Sequence, residues 1–200
     1  NMATWMIATW GSDDVKNTWC EQLVAGDKLA SYCLTEPGAG SDAASLKTKA
    51  MKVDGGYVLN GSKVFISGAG STDVLVVMAR TGEDGPKGVS AFAVPANAEG
   101  IEYGKAEEKM GWNAQPTRMI TFDNVKLDAS WLLGEEGQGF KMAMQGLDGG
   151  RINIATCSVG TAQQALNVAR DYMNEREQFG KPIAGFQALQ FKLADMATEL

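Results

Sequence analysis

Groups suited to binding a ligand are concentrated in the segment Tyr32–Asp42, which reads YCLTEPGAGSD. Pro37 restricts the chain there, whereas Gly38 and Gly40 carry no Cβ that would keep a ligand away from the backbone N–H groups. A turn of this composition suits a bound phosphate or the edge of a cofactor ring. Taken alone, the same residues also fit an ordinary β turn in which Ser41 satisfies nearby N–H groups.

The glycines of this segment also fit, loosely, the dinucleotide-binding pattern GxGxxA over residues 38–43. Asp54 even lies where that pattern places a ribose-binding acid. The pattern requires a strand, a turn and then a helix, but the residues after Asp42 predict a β hairpin. Asp54 falls in the Asp-Gly-Gly turn of that hairpin. We therefore reject an NAD site at this position.

Two later segments place an arginine where it could bind an anion. Asp148-Gly-Gly-Arg151 is predicted to open a helix, although its glycines also fit a helix kink capped by Asp148. Arg176 falls on the next step of an apolar helical stripe, so its charge needs a partner. It equally fits a cation placed favourably at a helix C-terminus.

Composition narrows the functions that are open to the chain. It has 200 residues, a net charge of −6 and no histidine. The lack of histidine excludes His-based catalytic triads and the usual zinc sites, and we expect no metal site. The acidic balance argues against nucleic-acid binding, and no apolar run is long enough to span a membrane. The three cysteines are widely spaced, which fits a reduced intracellular compartment.

The elements that must position these groups predict an α+β fold in three parts. Residues 1–30 are predicted to be helical, as the end of an N-terminal helical domain, with an N-cap at Ser12 and a stop at Gly26. Residues 31–134 are predicted to form a mainly antiparallel β middle domain. Residues 135–200 are predicted to be the first helices of an incomplete antiparallel bundle.

Within the middle domain, Tyr57–Ile66 is predicted to be a hairpin that turns at Asn60-Gly61. Further strands are predicted at Asp73–Arg80, Gly88–Pro95 and Pro116–Leu127. The helical region carries two apolar stripes that need a further packing partner, either in the same chain or in another chain. They are Ala155, Val159, Ala162, Leu166, Ala169 and Met173, then Phe186, Leu189, Leu193, Met196 and Leu200.

Four segments, in this order and spacing, resemble the acyl-CoA dehydrogenases: YCLTEPGAGSD, GSKVFIS at 61–67, DGGR at 148–151 and REQFG at 176–180. The resemblance covers nearly the whole chain. The strings SYCLTEPGAGSDAASL, LNGSKVFISGAG, GWNAQPTR and GGRINIATCS are most similar to family members that act on isobutyryl-CoA. The resemblance implies FAD-dependent desaturation of a short branched acyl-CoA to the enoyl-CoA, with electrons passed to electron-transfer flavoprotein. It also implies a mitochondrial matrix or bacterial cytoplasmic location.

The resemblance also implies roles for individual residues. Phe65 stands where many members carry Trp; an aromatic face is kept, although alone Phe65 would fit an ordinary buried strand aromatic. Arg176 and Gln187 are implied to reach the FAD of a neighbouring subunit, and therefore a homo-oligomer, usually a tetramer. The residues implied to contact FAD are Tyr32, Leu34, Thr35, Gly40, Ser41, Phe65, Ile66, Ser67, Arg176 and Gln187. Those implied to contact acyl-CoA are Ser41, Asp148, Gly149, Gly150 and Arg151.

No segment matches the catalytic glutamate that the family carries near the end of its C-terminal bundle. The resemblance implies that this base follows Leu200, and both chain ends lie within predicted helices. Glu36, Glu135, Glu136 and Glu177 are not substitutes by position. We therefore expect the 200-residue chain alone to be inactive. Two alternatives are a non-catalytic β module that binds CoA or a partner, and a relative of the acyl-CoA oxidases.

Overall fold

The computed structural model describes residues 2–200, which divide after Asp148 into two compact units. Helices and a largely antiparallel sheet make up the first unit, and helices with one short hairpin make up the second. The predicted α+β class is therefore confirmed. The predicted domain boundaries at residues 30 and 134 stay predictions.

Two short helices begin the first unit. They are α1, Met2–Trp10, and α2, Asp13–Ala25. The N-terminus of α2 is capped by Ser12, whose hydroxyl accepts the N–H of Val15 at 3.3 Å. Gly26 ends α2 with φ +85°, a left-handed conformation that glycine adopts without steric cost. Both the predicted cap and the predicted stop are confirmed.

The sheet of the first unit has eight strands. Along the main path the order is β6-β7-β3-β2-β4-β5-β8, and β1 pairs with β4 in parallel. Their bounds are β1 Ala30–Cys33, β2 Lys49–Val53, β3 Gly56–Ser67, β4 Val74–Arg80, β5 Val89–Pro95, β6 Ile101–Ala106, β7 Thr117–Asp128 and β8 Leu132–Leu133.

The predicted hairpin that turns at Asp54-Gly-Gly is confirmed, with β2 and β3 as its two strands. The sequence did not predict β1, β6 or β8, and β1 and β8 are too short to show alternation. No residue of β6 is fully buried. These strands exist because a neighbouring strand completes their hydrogen bonds, and a local pattern does not record that partner.

The predicted turn at Asn60-Gly61 is wrong. Asp54 and Gly55 form the two-residue turn that joins β2 to β3, and β3 continues straight through Gly61. A Cβ on Gly61 would lie 2.7 Å from the Cα of Thr48, and its φ is +143°. Glycine is therefore needed at position 61, because the backbone passes so close to Thr48 that a side chain would not fit.

β3 and β7 pair with two irregularities of opposite sense. A step of two residues along β3, from Leu59 to Gly61, accompanies a step of three along β7. Between Lys63 and Ile66, three residues of β3 accompany two of β7. Asn124 of β7 and Phe65 of β3 lie in these bulges, and both take a positive φ. The register after the second bulge is therefore the same as before the first.

The core of the first unit lies on both faces of the strongly buried β4 and β5. Val74, Val76 and Met78 face a cluster that includes α1, α2 and the beginning of the helix α3, Gly139–Glu175. Leu75 and Val77 face the opposite cluster, built with β3 and β7. Because both of their faces are buried, β4 and β5 are held firmly in place. They support the segments that carry the candidate site.

The helix α3, Gly139–Glu175, continues into the second unit, which also holds β9 Glu177–Gln178, β10 Lys181–Pro182 and α4 Gln187–Glu199. The prediction that Asp148 opens a helix is wrong, because Asp148–Arg151 lies inside α3. In residues 149–200, all of which are described, no side chain is fully buried. Leu166 and Ala169 of α3 share a groove with Met196 of α4, so residues of the two predicted stripes lie side by side.

No helix within residues 2–200 combines the length and the apolar character that crossing a membrane requires.

Candidate functional site

The glycine-rich segment begins with a tight turn over Pro37 and Gly38. The N–H groups of Glu36 and Ala39 each donate to the other residue's carbonyl at 3.1 Å. Neither Gly38 nor Gly40 has a positive φ, so backbone freedom is not the reason for glycine here. A Cβ on either residue would meet no protein atom within 4 Å. The two glycines therefore leave open space beside the backbone, in which a ligand can lie.

A buried ion pair fixes this turn to β3. The Lys63 ammonium is fully buried and lies 2.8 Å from a carboxylate oxygen of Glu36. It also donates to the carbonyl of Leu34 at 2.9 Å. The backbone N–H groups of Lys47 and Thr48 donate to Glu36 at 2.6 and 3.0 Å. These contacts hold together the two parts of the candidate site, the glycine-rich turn and β3.

The electrostatics of Glu36 follow from these partners. Burial alone would raise the pKa of its carboxyl group, but the Lys63 charge and three hydrogen bonds outweigh it and hold the pKa below its usual value. Glu36 is therefore a fixed anion with its acceptor sites in use. It cannot serve as a catalytic base, which agrees with the expectation from its position.

Phe65 has the most unusual geometry of the predicted site residues. Its φ is +57° and its side chain is 65% exposed. A bulky residue in the left-handed region costs about 1–2 kcal/mol, and such strain collects at functional sites. The interpretation of Phe65 as an ordinary buried strand aromatic is therefore wrong. The ring is available to cover a ligand.

The bulge explains how Phe65 reaches the surface. Before it, Tyr57, Leu59 and Lys63 are buried at alternate positions of β3. One extra residue shifts the alternation, so that Ile66 turns inward while Phe65 and Ser67 turn outward. The exposed aromatic is thus a product of the bulge.

Three of the predicted site residues carry a hydroxyl group that has no internal partner. Across the described chain, no group bonds to the hydroxyls of Thr35, Ser41 or Ser67. Thr35 lies next to the end of β3, since its carbonyl accepts the N–H of Val64 at 2.9 Å. Hydroxyl donors beside open space and an exposed aromatic suit a planar ligand with carbonyl and phosphate acceptors. FAD has this chemistry, so the residues present fit the predicted cofactor.

Three other predicted contact residues are largely committed to the fold. Leu34 and Ile66 are buried. The Tyr32 hydroxyl donates to the carbonyl of Ala143 in α3 at 3.1 Å, and burial raises its pKa. These residues can shape the floor of the site, but the Tyr32 hydroxyl is already in use.

Sequence reasoning missed two residues that support the site. Lys63 is one, and a lysine at an inward position of a predicted strand was the available signal. Ser31 is the other, since its hydroxyl donates to the carbonyl of Ser67 at 2.7 Å and shares a bond with Thr72. Nothing in the sequence distinguishes Ser31 from an ordinary strand serine.

The remaining predicted residues lie on or beside helices. Asp148 is in α3 at the end of the first unit, while Gly149, Gly150 and Arg151 follow in the second. In the second unit, Arg176 and Gln187 are both exposed. The carbonyl of Arg176 accepts the N–H of Ile183 at 2.8 Å, which closes the hairpin between α3 and α4.

Within residues 2–200, no cluster of three Cys, Asp or Glu side chains could hold a metal ion.

Two family profiles match the chain. The profile "Acyl-CoA dehydrogenase, middle domain" matches residues 31–125, and "Acyl-CoA dehydrogenase, C-terminal domain" matches residues 137–200. Isobutyryl-CoA dehydrogenase, mitochondrial, from Bos taurus is 51% identical over 200 residues, covering 100% of this chain and 48% of that protein.

Solved structures agree with these matches. Butyryl-CoA dehydrogenase from Megasphaera elsdenii superposes with a TM-score of 0.93 at 44% identity, over 99% of this chain and 52% of the other. A structure described as the electron transferring flavoprotein of Acidaminococcus fermentans superposes with a TM-score of 0.93 at 41% identity, over 98% and 52%. The chain spans about half the length of the relatives it matches. It belongs to the acyl-CoA dehydrogenase family.

Proposed function

We propose that this chain contributes the flavin- and acyl-CoA-binding part of a dehydrogenase that desaturates a short branched acyl-CoA, such as isobutyryl-CoA. The observation that carries the proposal is Phe65, an exposed aromatic in a left-handed conformation beside the open glycine turn. The 51% identity to a mitochondrial isobutyryl-CoA dehydrogenase supports the substrate class. FAD supplies the hydride acceptor when it is bound.

The chain's own residues would bind and orient. Phe65 covers the outer ring face, while the Thr35 and Ser67 hydroxyls donate to ring acceptors. Gly40 and Ser41 approach the phosphate-bearing part, since their backbone meets open space. Tyr32, Leu34 and Ile66 form the floor.

Substrate contacts are proposed for Ser41, Asp148, Gly149, Gly150 and Arg151. The Arg151 guanidinium suits an anionic CoA moiety because it offers several donors in a fixed plane. Arg176 and Gln187 would serve the FAD of a neighbouring subunit, so we propose a homo-oligomer, with a tetramer as the expected form. Reduced cofactor would pass electrons to electron-transfer flavoprotein. We place the protein in a mitochondrial matrix or bacterial cytoplasm, as its relatives are mitochondrial and bacterial.

The test is the substitution Gly40→Ala, followed by FAD titration through the visible absorbance of protein-bound flavin. The new methyl group meets no protein atom within 4 Å, so the free energy of unfolding should be unchanged within about 0.5 kcal/mol. It enters the proposed ligand space, so we expect FAD affinity to fall at least ~10-fold. Gly160→Ala is the control for affinity, because Gly160 also lacks a positive φ and its added methyl group would also meet no protein atom within 4 Å. Unchanged affinity in Gly40→Ala would contradict the proposal.

The same samples test whether these 200 residues can turn over substrate. Glu36 is locked to Lys63, and Glu136 accepts from Lys52 at 2.8 Å and from Tyr57 at 2.5 Å. Neither is free to take a proton from carbon. Isobutyryl-CoA added without oxygen should therefore leave the flavin band of the 200-residue chain intact. Bleaching would show a usable base among these residues, and fast recovery in air would then favour an oxidase.

A further inference from the structure

The last residue of β4 is a buried cation. Arg80 occupies the next position along the face of β4 that carries Val74, Val76 and Met78, and 7% of its side chain is exposed. The Asp84 carboxylate lies 3.9 Å from Nε and is fully exposed, so it offsets little of the unfavourable free energy of burying the charge. An apolar side chain would avoid that penalty. The cation is therefore explained by its other contacts.

All five N–H groups of the Arg80 guanidinium donate to backbone carbonyls. Nε and Nη2 donate to Leu46 at 3.1 and 3.0 Å, and Nη2 also donates to Ala44 at 2.8 Å. Nη1 donates to Glu83 at 2.6 Å and to Gly85 at 3.1 Å. One planar side chain thus holds carbonyls from two separate loops, which a side chain with fewer donors could not do.

One peptide group, between Leu46 and Lys47, lies between two buried charges. Its carbonyl oxygen accepts from Arg80, and its N–H donates to the Glu36 carboxylate at 2.6 Å. Because a trans peptide group is planar, its C=O and N–H point in opposite directions, and holding one orients the other. The N–H of Thr48 adds a second bond to Glu36 at 3.0 Å. Arg80 therefore orients a donor that holds Glu36.

The connection between the glycine-rich turn and β2, residues 42–48, is held at every second carbonyl. The Arg80 guanidinium holds the first two of these carbonyls, and the backbone N–H of Arg80 donates to the third, that of Thr48, at 2.7 Å. Ser41, a proposed contact of FAD and acyl-CoA, lies directly before the connection, and Glu36 lies before the turn. Arg80 therefore fixes the chain on both sides of the turn.

We propose that Arg80 is a positioning residue for the ligand space beside the glycine-rich turn, an inference that rests on the proposed function. It is buried and bonded within the protein, so it acts on a ligand only through the backbone that it holds. A turn that is already ordered loses less conformational entropy when a ligand binds, and its affinity for that ligand is correspondingly higher.

The test is the substitution Arg80→Lys in the 200-residue chain, followed by FAD titration. Lysine keeps the positive charge, but its three donors lack the planar fork that holds four carbonyls at once. We expect the Kd for FAD to rise at least ~10-fold, because hydrogen bonds to a charged group are lost. The matched control is Asp84→Asn, which removes the exposed carboxylate beside Arg80 and should keep the wild-type Kd.

Hydrogen exchange separates positioning from a general loss of stability. The amides compared are a connection pair, Lys47 and Thr48, and a core pair, Val76 and Val77 of β4. In Arg80→Lys the connection pair should exchange at least ~10-fold faster relative to the core pair, whereas a purely structural role would accelerate both pairs equally. In the wild-type chain, FAD should slow exchange of the connection pair more than that of the core pair, because linkage is reciprocal. This second measurement needs no variant to fold.

The other outcomes overturn the proposal. Wild-type affinity for FAD in Arg80→Lys would refute the role of Arg80 and leave the proposed function standing. Equal acceleration of both pairs, or equal slowing by FAD, would show that Arg80 only supports the fold. A weakened Asp84→Asn would show that surface charge, and not the held carbonyls, sets the affinity. A wild-type chain that binds no FAD would refute the proposed function, and this role of Arg80 with it.

Discussion

At the scale of single residues, Phe65 shows how a site can be built from an unfavourable conformation. Its left-handed backbone conformation does not stabilise the fold, since the ring stays exposed. Strain of this kind persists where the surrounding structure over-determines it. Here the surroundings are the Lys63–Glu36 pair on one side and the β7 ladder on the other.

The strain at Phe65 can be measured by comparing Phe65→Gly with Phe65→Ala. Both remove the ring, but only glycine relieves the positive φ, so Phe65→Gly should be more stable by about 1 kcal/mol. Urea denaturation gives the two free energies of unfolding. At Met119, a partly exposed strand position without a positive φ, the order should reverse, with alanine more stable than glycine. Equal stabilities of the two Phe65 variants would show that the site stores no strain.

At the same scale, the likeness of GSKVFIS to the family pointed to Phe65 as a candidate site residue. Taken alone, Phe65 also fitted a buried strand aromatic, so the sequence did not predict that its ring is exposed. A bulge residue with a positive φ and no glycine leaves no local signal. Lys63 did leave one, as a lysine at an inward position of an apolar strand.

At the scale of elements, the Glu36–Lys63 pair decides how the glycine turn and β3 are joined. Removing one partner of a buried pair leaves an uncompensated charge, which costs far more than an exposed pair would. The pair therefore acts as a lock whose strength depends on the charge of Glu36.

This lock gives a pH-dependent prediction for Glu36→Gln. At pH 7 the variant should be less stable than the wild type by about 3 kcal/mol, because Lys63 loses its charged partner. The folded pKa of Glu36 is depressed, so its contribution is complete above its ordinary pKa of 4.5 and is lost as the pH falls through the folded value. Urea unfolding from pH 7 to pH 3 should therefore show the two proteins converging. A gap that stays constant to pH 3 would show that the carboxylate's charge is not what stabilises the turn.

Sequence-based prediction succeeded for elements with a clear chemical signal. Ser12 and Gly26 marked the two ends of α2, and runs of apolar residues predicted β4 and β5. It failed at Asn60-Gly61, because the same dipeptide that favours a hairpin turn also suits a close approach to Thr48. Only the partner strand distinguishes the two.

At the scale of the whole molecule, the two units differ in how much they bury. The first has clusters on both faces of its central strands, whereas residues 149–200 contain no fully buried side chain. Burial of apolar surface is the main stabilising contribution to folding, so the second unit by itself has little stabilising free energy. The predicted incomplete bundle agrees with this pattern.

Hydrogen exchange should reveal that difference at a concentration where the chain is monomeric. We expect amides of β4 and β5 to exchange only by global unfolding, and those of residues 160–200 to exchange at least ~100-fold faster. Mass spectrometry of peptides from both regions measures this directly. Exchange in the second unit should slow as concentration rises if copies associate through it. Equal protection of both regions in the monomer would contradict the conclusion that the second unit is less stable than the first.

The paired bulges in β3 and β7 have a consequence for how this ribbon can change in length. One bulge adds a residue to β7 and the other adds one to β3, so the strands return to their original register. Deleting Asn124 alone, or Phe65 alone, would leave every later pair offset by one, with inward residues turned outward. Deleting both would restore uniform pairing along the whole ribbon and remove the exposed aromatic. Insertions and deletions in relatives should therefore occur here in pairs, one on each strand.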